Sequence, residues 1–162
     1  MNIAWNAIIK ADNPDLGYEV GFYTQLEECI DEIVAKKIKV VTNAGALNAR
    51  SLSKRIEELC ASRSLKPVIA TVVGDDVSHL VTQAGRSAPQ ADGKHTFKHL
   101  DHPEQSLDDW DLEPTCAAAY IGCWGIAQAL DEGADIVVCG RCTDASLVMG
   151  AGKSRVHALK VA

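Results

Sequence analysis

The sequence predicts an α/β protein, a three-layer, mostly parallel sheet with helices on both faces, Rossmann-like and incomplete. Three observations predict it. Short β-branched runs alternate with apolar stripes of helical period. The first two runs, opening at Ile38 and Val68, start 30 residues apart, the length of one βαβ unit. Each run is nearly continuously hydrophobic, as strands of a parallel sheet covered on both faces are.

Along the chain, Met1 to Lys10 has neither the basic start nor the small-residue cleavage site of a secretory signal, and reads instead as a short amphipathic helix. Thr24 and Glu27 have capping-box spacing. Behind them Leu26, Ile30, Ile33 and Val34 line one face, which predicts a helix over 24–36. The run 38–42 predicts the first strand. Asn48 stands where a helix cap is needed, and Leu52, Ile56, Leu59 and Cys60 continue the stripe of a helix over 49–63. A second strand is expected over 68–73, with a short helix from Val77 to Gln83 after it. Residues 85–114 form a long irregular segment rich in Gly, Pro, Asp and His, the kind of connection that is functional or disordered. Residues 115–131 are apolar nearly all round and predict a buried helix. The third strand is expected over 135–139, and the tail from Lys153 to Ala162 carries no clear element. The domain is thus expected over 1–150, with 151–162 as an unassigned tail.

Composition excludes several classes. The chain has 162 residues, 47% hydrophobic and 23% charged, which describes one ordinary globular domain. Its net charge is −6 and it has no Lys/Arg-rich run, so neither nucleic acid nor an acidic membrane is an expected partner. No segment reaches the roughly 20 apolar residues of a membrane span. The six cysteines, with Cys29, Cys60, Cys116 and Cys123 on predicted apolar helix faces and Cys139 at a strand end, read as buried free thiols of a cytoplasmic protein.

Ligands of open α/β sheets bind beyond the carboxyl ends of the strands. Three turns lie there: Asn43-Ala-Gly45, Gly74-Asp75-Asp76 and Gly140-Arg-Cys-Thr-Asp144. Gly45, Gly74 and Gly140 allow backbone N–H groups to face a ligand. The helix starts that follow favour an anion. Asn43, Asn48, Asp76, Thr143 and Ser146 add polar side chains, so these eight residues are the expected ligand-binding set. Arg141, Asp144 and Asp75 are the catalytic candidates. Arginine offers a planar fork to carboxylate or phosphate. Asp144 could orient that fork, act as a general base or cap the next helix. Asp75 and Asp76 could serve as an acid/base pair or simply close their turn.

Three other motifs are set aside. Gly150-Ala-Gly-Lys-Ser154 ends like a phosphate-binding loop, but Leu147 stands where the first glycine is required. Cys139-Gly-Arg-Cys142 lacks a second ligand pair at zinc spacing. His95, His99 and His102 read as solvated loop residues, and no metal is expected.

The stretches Val40 to Asn48, Val72 to Asp76, Phe97 to Asp101, Ala118 to Gly122 and Gly140 to Ser146 resemble, in order and spacing, the N-terminal domain of the acyclic terpene utilisation family of AtuA type. The likeness covers roughly Gly17 to Gly150 and is nearest in flavour to the fungal branch. It implies a domain or remnant of an intracellular enzyme of small-acid or terpenoid acyl-CoA metabolism, with a small-molecule ligand of CoA-thioester type. It assigns neither reaction, cofactor nor catalytic residues. Family members open with a glycine-rich βα unit and continue past the Thr-Asp-Ala-Ser motif, so a truncated chain, marginally stable and prone to self-association, is expected. The alternative is a non-catalytic fragment or binding module encoded in a secondary-metabolite gene cluster.

Overall fold

The structure, a computed structural model, describes residues 2–81, 97–110 and 113–161, and side chains as far as residue 155. It falls into two compact units, residues 1–75 with 119–162 and residues 76–118.

The first unit holds the sheet. Helices α1 (Ile3–Asp12) and α2 (Val20–Ala35) lead into β1 (Val40–Thr42); α3 (Ala49–Ser62) joins β1 to β2 (Ile69–Val72). After the second unit come α5 (Trp124–Asp131), β3 (Ile136–Cys139) and α6 (Asp144–Val161). The three strands are parallel, in the order β1-β3-β2. The last strand is therefore inserted between the first two. All four β3 residues are fully buried, which is why this run is apolar throughout. Ile136 and Val138 pack with Leu26 and Ile30 of α2 and Leu52 and Ile56 of α3. Val137 and Cys139 face the other way, into the cluster of Ile126 on α5 and Leu147 on α6. Helices thus cover both faces, as the alternation of strands and stripes requires.

Asp135 fastens the amino ends of all three strands. Its carbonyl accepts the Val40 N–H at 2.9 Å, and its own N–H donates to the Val68 carbonyl at 2.7 Å. Its carboxylate accepts from the Val68 N–H and the Lys39 ammonium, both at 2.8 Å. These two donors, Lys39 first, hold the Asp135 carboxyl below the usual range.

The second unit holds α4 (Ser78–Val81) and a 3-10 turn (Leu107–Asp109). The Asp109 carboxylate accepts from the Ser106 N–H at 2.6 Å. The His99 Nδ1 accepts the N–H groups of Asp101 and His102 at 3.1 and 3.2 Å, so that histidine shapes its own turn. His95 and the end of the expected 77–83 helix lie outside the described residues.

Four expectations are corrected. The helix expected at 24–36 starts four residues earlier, at Val20, so Thr24 is no cap and its hydroxyl instead donates to the Val20 carbonyl within the helix. The helix expected at 115–131 begins only at Trp124. Its first part spends its backbone elsewhere: the Ala119 N–H donates to the Asp75 carbonyl at 2.7 Å and the Ile121 N–H to that of Arg141 at 3.3 Å. Gly122, at φ 69°, then turns the chain into α5. The tail after residue 150 continues α6 to Val161. Glycine there suggests a break, yet a Cβ on Gly150 would lie 2.6 Å from the Ile126 side chain, so the glycine is what lets α6 approach α5. Cys29, expected inside, is exposed. Among the described residues no helix is long and apolar enough to cross a membrane.

Candidate functional site

Because the strands are parallel, the turns after β1, β2 and β3 share one edge, and contacts between them are direct. The Thr42 hydroxyl oxygen accepts the Ala44 N–H at 3.0 Å and starts the first turn. Gly45 passes so close to β3 that a Cβ there would lie 2.6 Å from the Cys139 carbonyl oxygen. The Cys139 thiol donates to the Thr42 carbonyl at 3.0 Å. On the other flank, Gly74 takes φ 112°, a conformation suited to glycine. The following Asp75 is buried, and its carboxylate accepts the Arg141 backbone N–H at 2.6 Å. A Cβ on Gly140 would sit 2.1 Å from that carboxylate. Glycine at 45 and 140 therefore serves close approach, whereas Gly74 serves the turn.

Arg141 is the cation of this edge. One terminal nitrogen donates to the Tyr120 hydroxyl at 2.6 Å, and the guanidinium carbon lies 4.7 Å from the centre of the same ring. Its backbone is gripped at both ends, by Asp75 at the N–H and by Ile121 at the carbonyl. Among the described residues no carboxylate forms an ion pair with it.

The remaining predicted residues divide. Asn43 is half-buried beside the first turn, where its carbonyl accepts the Ala46 N–H at 3.1 Å. Asn48 caps α3 through the Ser51 N–H at 3.3 Å and donates to the carbonyls of Pro14 and Leu16, both at 2.8 Å. Its side chain is thus committed to the fold. Thr143 and Ser146 face each other across the first turn of α6, oxygen to oxygen 2.5 Å, with Ser146 buried. Asp144 is exposed and is the first residue of that helix rather than its cap, a placement the helix dipole favours. Asp76 belongs to the second unit, where its carboxylate accepts the Ser78 N–H at 3.0 Å and closes its turn.

Sequence reasoning missed Tyr120. It stands in a stretch read as buried helix, and its role depends on a partner 21 residues away. The Cys139 and Cys142 sulfurs lie 3.6 Å apart, both buried, and burial pushes both thiols up, that of Cys139 strongly. High thiol pKa leaves little thiolate for redox or metal chemistry. Three cavities bounded by described residues lie away from these turns. One of about 290 Å³ is beside Tyr18 and Arg55, one of about 520 Å³ runs between the outer edge of β2 and α5, and one of about 180 Å³ is by Ile38 and Pro67.

Comparison with known proteins gives one match. The model of the family described as "Acyclic terpene utilisation family protein AtuA" matches residues 1–154. That range reaches further at both ends than the resembling stretches, which run from about Gly17 to Gly150. No curated protein and no solved structure matches the chain. With nearly its whole length inside one family model, the chain belongs to the acyclic terpene utilisation family, AtuA type.

Proposed function

We propose that this chain is the ligand-binding α/β domain of a cytoplasmic enzyme acting on a small carboxylic acid or its CoA thioester in the breakdown of acyclic terpenoids. Family membership supports the metabolic setting. The observation that carries the site is Arg141. It follows the central strand at the edge where open α/β sheets bind ligands, and no carboxylate among the described residues neutralises it. Its free N–H groups suit the planar carboxylate or phosphate of such a ligand. Asn43, on the turn after β1, supplies an amide on the same edge. Gly45, Gly140 and Asp75 fix the backbone beneath, Thr143 and Ser146 bond to each other across the first turn of α6, and the N-terminus of α6 favours an anion. Asp144 is the exposed carboxylate available for proton transfer, since Asp75 is turned inward onto the Arg141 N–H.

The test is calorimetric titration of the full chain with a branched C10 acyl-CoA, its free acid and the matching alcohol. The expected result is binding of the two anions, with Arg141→Ala weakening it by about tenfold or more, the loss of a hydrogen-bonded charge contact. Equal affinity for alcohol and acid, or an unaffected Arg141→Ala variant, rejects the reading.

A further inference from the structure

We infer that Tyr120 is the positioning residue for Arg141, and that the pair discriminates anionic from neutral ligands. The inference rests on the proposed role of Arg141 and adds the residue that makes its charge usable.

A free arginine side chain samples many rotamers, and ordering it costs affinity at each binding event. Arg141 is held by two contacts with Tyr120. The Tyr120 ring lies under the guanidinium, 4.7 Å from centroid to carbon, and the phenol oxygen accepts from one terminal nitrogen at 2.6 Å. Ring and oxygen together give the guanidinium two contacts with one side chain. Neither contact neutralises the charge, in contrast to a carboxylate partner. Of the guanidinium's five N–H donors, those of a single terminal nitrogen are engaged among the described residues. The backbone below is equally fixed, with Arg141 N–H on Asp75 at 2.6 Å and Arg141 carbonyl on Ile121 at 3.3 Å. Tyr120 itself is 61% exposed. A tyrosine left that open adds little to the core, so its contribution falls on the arginine it holds.

The neighbouring stretch repeats the device. Trp124 lies under the Lys153 ammonium at 4.5 Å. The Arg141 pair differs in having the hydroxyl contact, and it alone of the two stands on a strand-end turn.

The experiment is NMR titration of the full chain with inorganic phosphate, acetate and neutral acetamide, following the Arg141 side-chain and backbone signals. Variants are Tyr120→Phe, which keeps the ring and loses the oxygen, and Tyr120→Leu, which loses both. In the wild type, phosphate and acetate should shift the Arg141 signals and acetamide should not. Tyr120→Phe should weaken anion binding by roughly three- to tenfold and Tyr120→Leu by more, on the scale of a charge-assisted hydrogen bond. The Arg141 Nε–H signal should broaden in Tyr120→Leu even without ligand, while the thermal midpoint stays within a few degrees. Anion binding by the wild type with unchanged affinity in both variants overturns the inference and leaves the Arg141 reading standing. Wild-type protein that shows no anion response at Arg141 overturns both.

Discussion

Asp75 and Gly140 show how much of the strand-end geometry depends on single atoms. A carboxylate in a turn after a strand commonly suggests acid/base chemistry, and Asp75 was a reasonable candidate on sequence. Its burial and its 2.6 Å bond to the Arg141 N–H make it a clamp on the neighbouring turn instead. The absence of a side chain at 140 is what admits it, since a Cβ would approach within 2.1 Å. Gly140→Ala should expel the carboxylate, leave the Arg141 N–H without its acceptor and lower stability by about 1–3 kcal/mol. Arg141 should then bind anions more weakly. Denaturant unfolding and the Arg141 amide chemical shift check this together. An unchanged amide shift would show that the clamp is not needed. Among the candidate residues, Arg141, Asp144 and the three turns stand out in the sequence because small and polar residues interrupt apolar runs at strand ends. Tyr120 was not, because nothing local marks a tyrosine whose partner arrives from another strand end. Asn48 shows the reverse error. A polar residue in the right turn proved to be a cap and a loop fastener, and no spacing rule separates those roles from ligand binding.

At the scale of elements, α2 and α3 were legible because burial of one face imposes a helical period, and the three strands because they form short β-branched hydrophobic runs. Where other forces set the boundary, the reading failed. Residues 115–123 have a helix's composition, but their N–H groups reach Asp75 and Arg141, and tertiary hydrogen bonds override propensity. A helix after Asp144 was expected, but its continuation through the tail was not: glycines at 150 and 152 disfavour a helix, and only packing against α5 reveals why Gly150 is small. The strands' amino ends make a further prediction. Asp135 joins all three strands, and its carboxyl is held low by Lys39 and then by the Val68 N–H. A carboxyl depressed in the folded state contributes stability above its unfolded pKa of about 3.9, and that contribution disappears as pH falls through the folded value. The wild type should therefore lose stability below about pH 4 more steeply than Asp135→Asn, which retains a hydrogen-bond acceptor but has no charge to titrate. Unfolding midpoints between pH 3 and pH 7 decide this. Parallel pH profiles for the two proteins would remove Asp135 from the account.

For the sheet-bearing unit as a whole, everything converges on β3. It arrives last in sequence, yet it lies between β1 and β2, and its four residues are fully buried. Alternate side chains serve different layers: Ile136 and Val138 the α2–α3 layer, Val137 and Cys139 the α5–α6 layer. Neither layer has a second route across the sheet of comparable burial, since β1 and β2 are edge strands of intermediate exposure except at Thr42. The two helical layers should accordingly unfold together rather than in sequence. Ile136→Ala removes volume on the α2–α3 side and should cost about 2–5 kcal/mol. Val137→Ala removes less on the opposite side and should cost roughly 2 kcal/mol. Against a typical net stability of about 5–15 kcal/mol, either loss is large. Two probes separate cooperative from layered behaviour. Trp124 fluorescence, in a variant with Trp5 and Trp110 replaced by Phe, reports on the α5–α6 layer. Hydrogen exchange of the α2 and α3 amides reports on the other. If β3 couples the layers, the two probes report one common midpoint and slope within each variant, lowered from the wild type by that variant's own cost. If Ile136→Ala released α2 and α3 while Trp124 kept its native signal, the layers would be independent, and the central position of β3 would be a matter of topology without thermodynamic consequence.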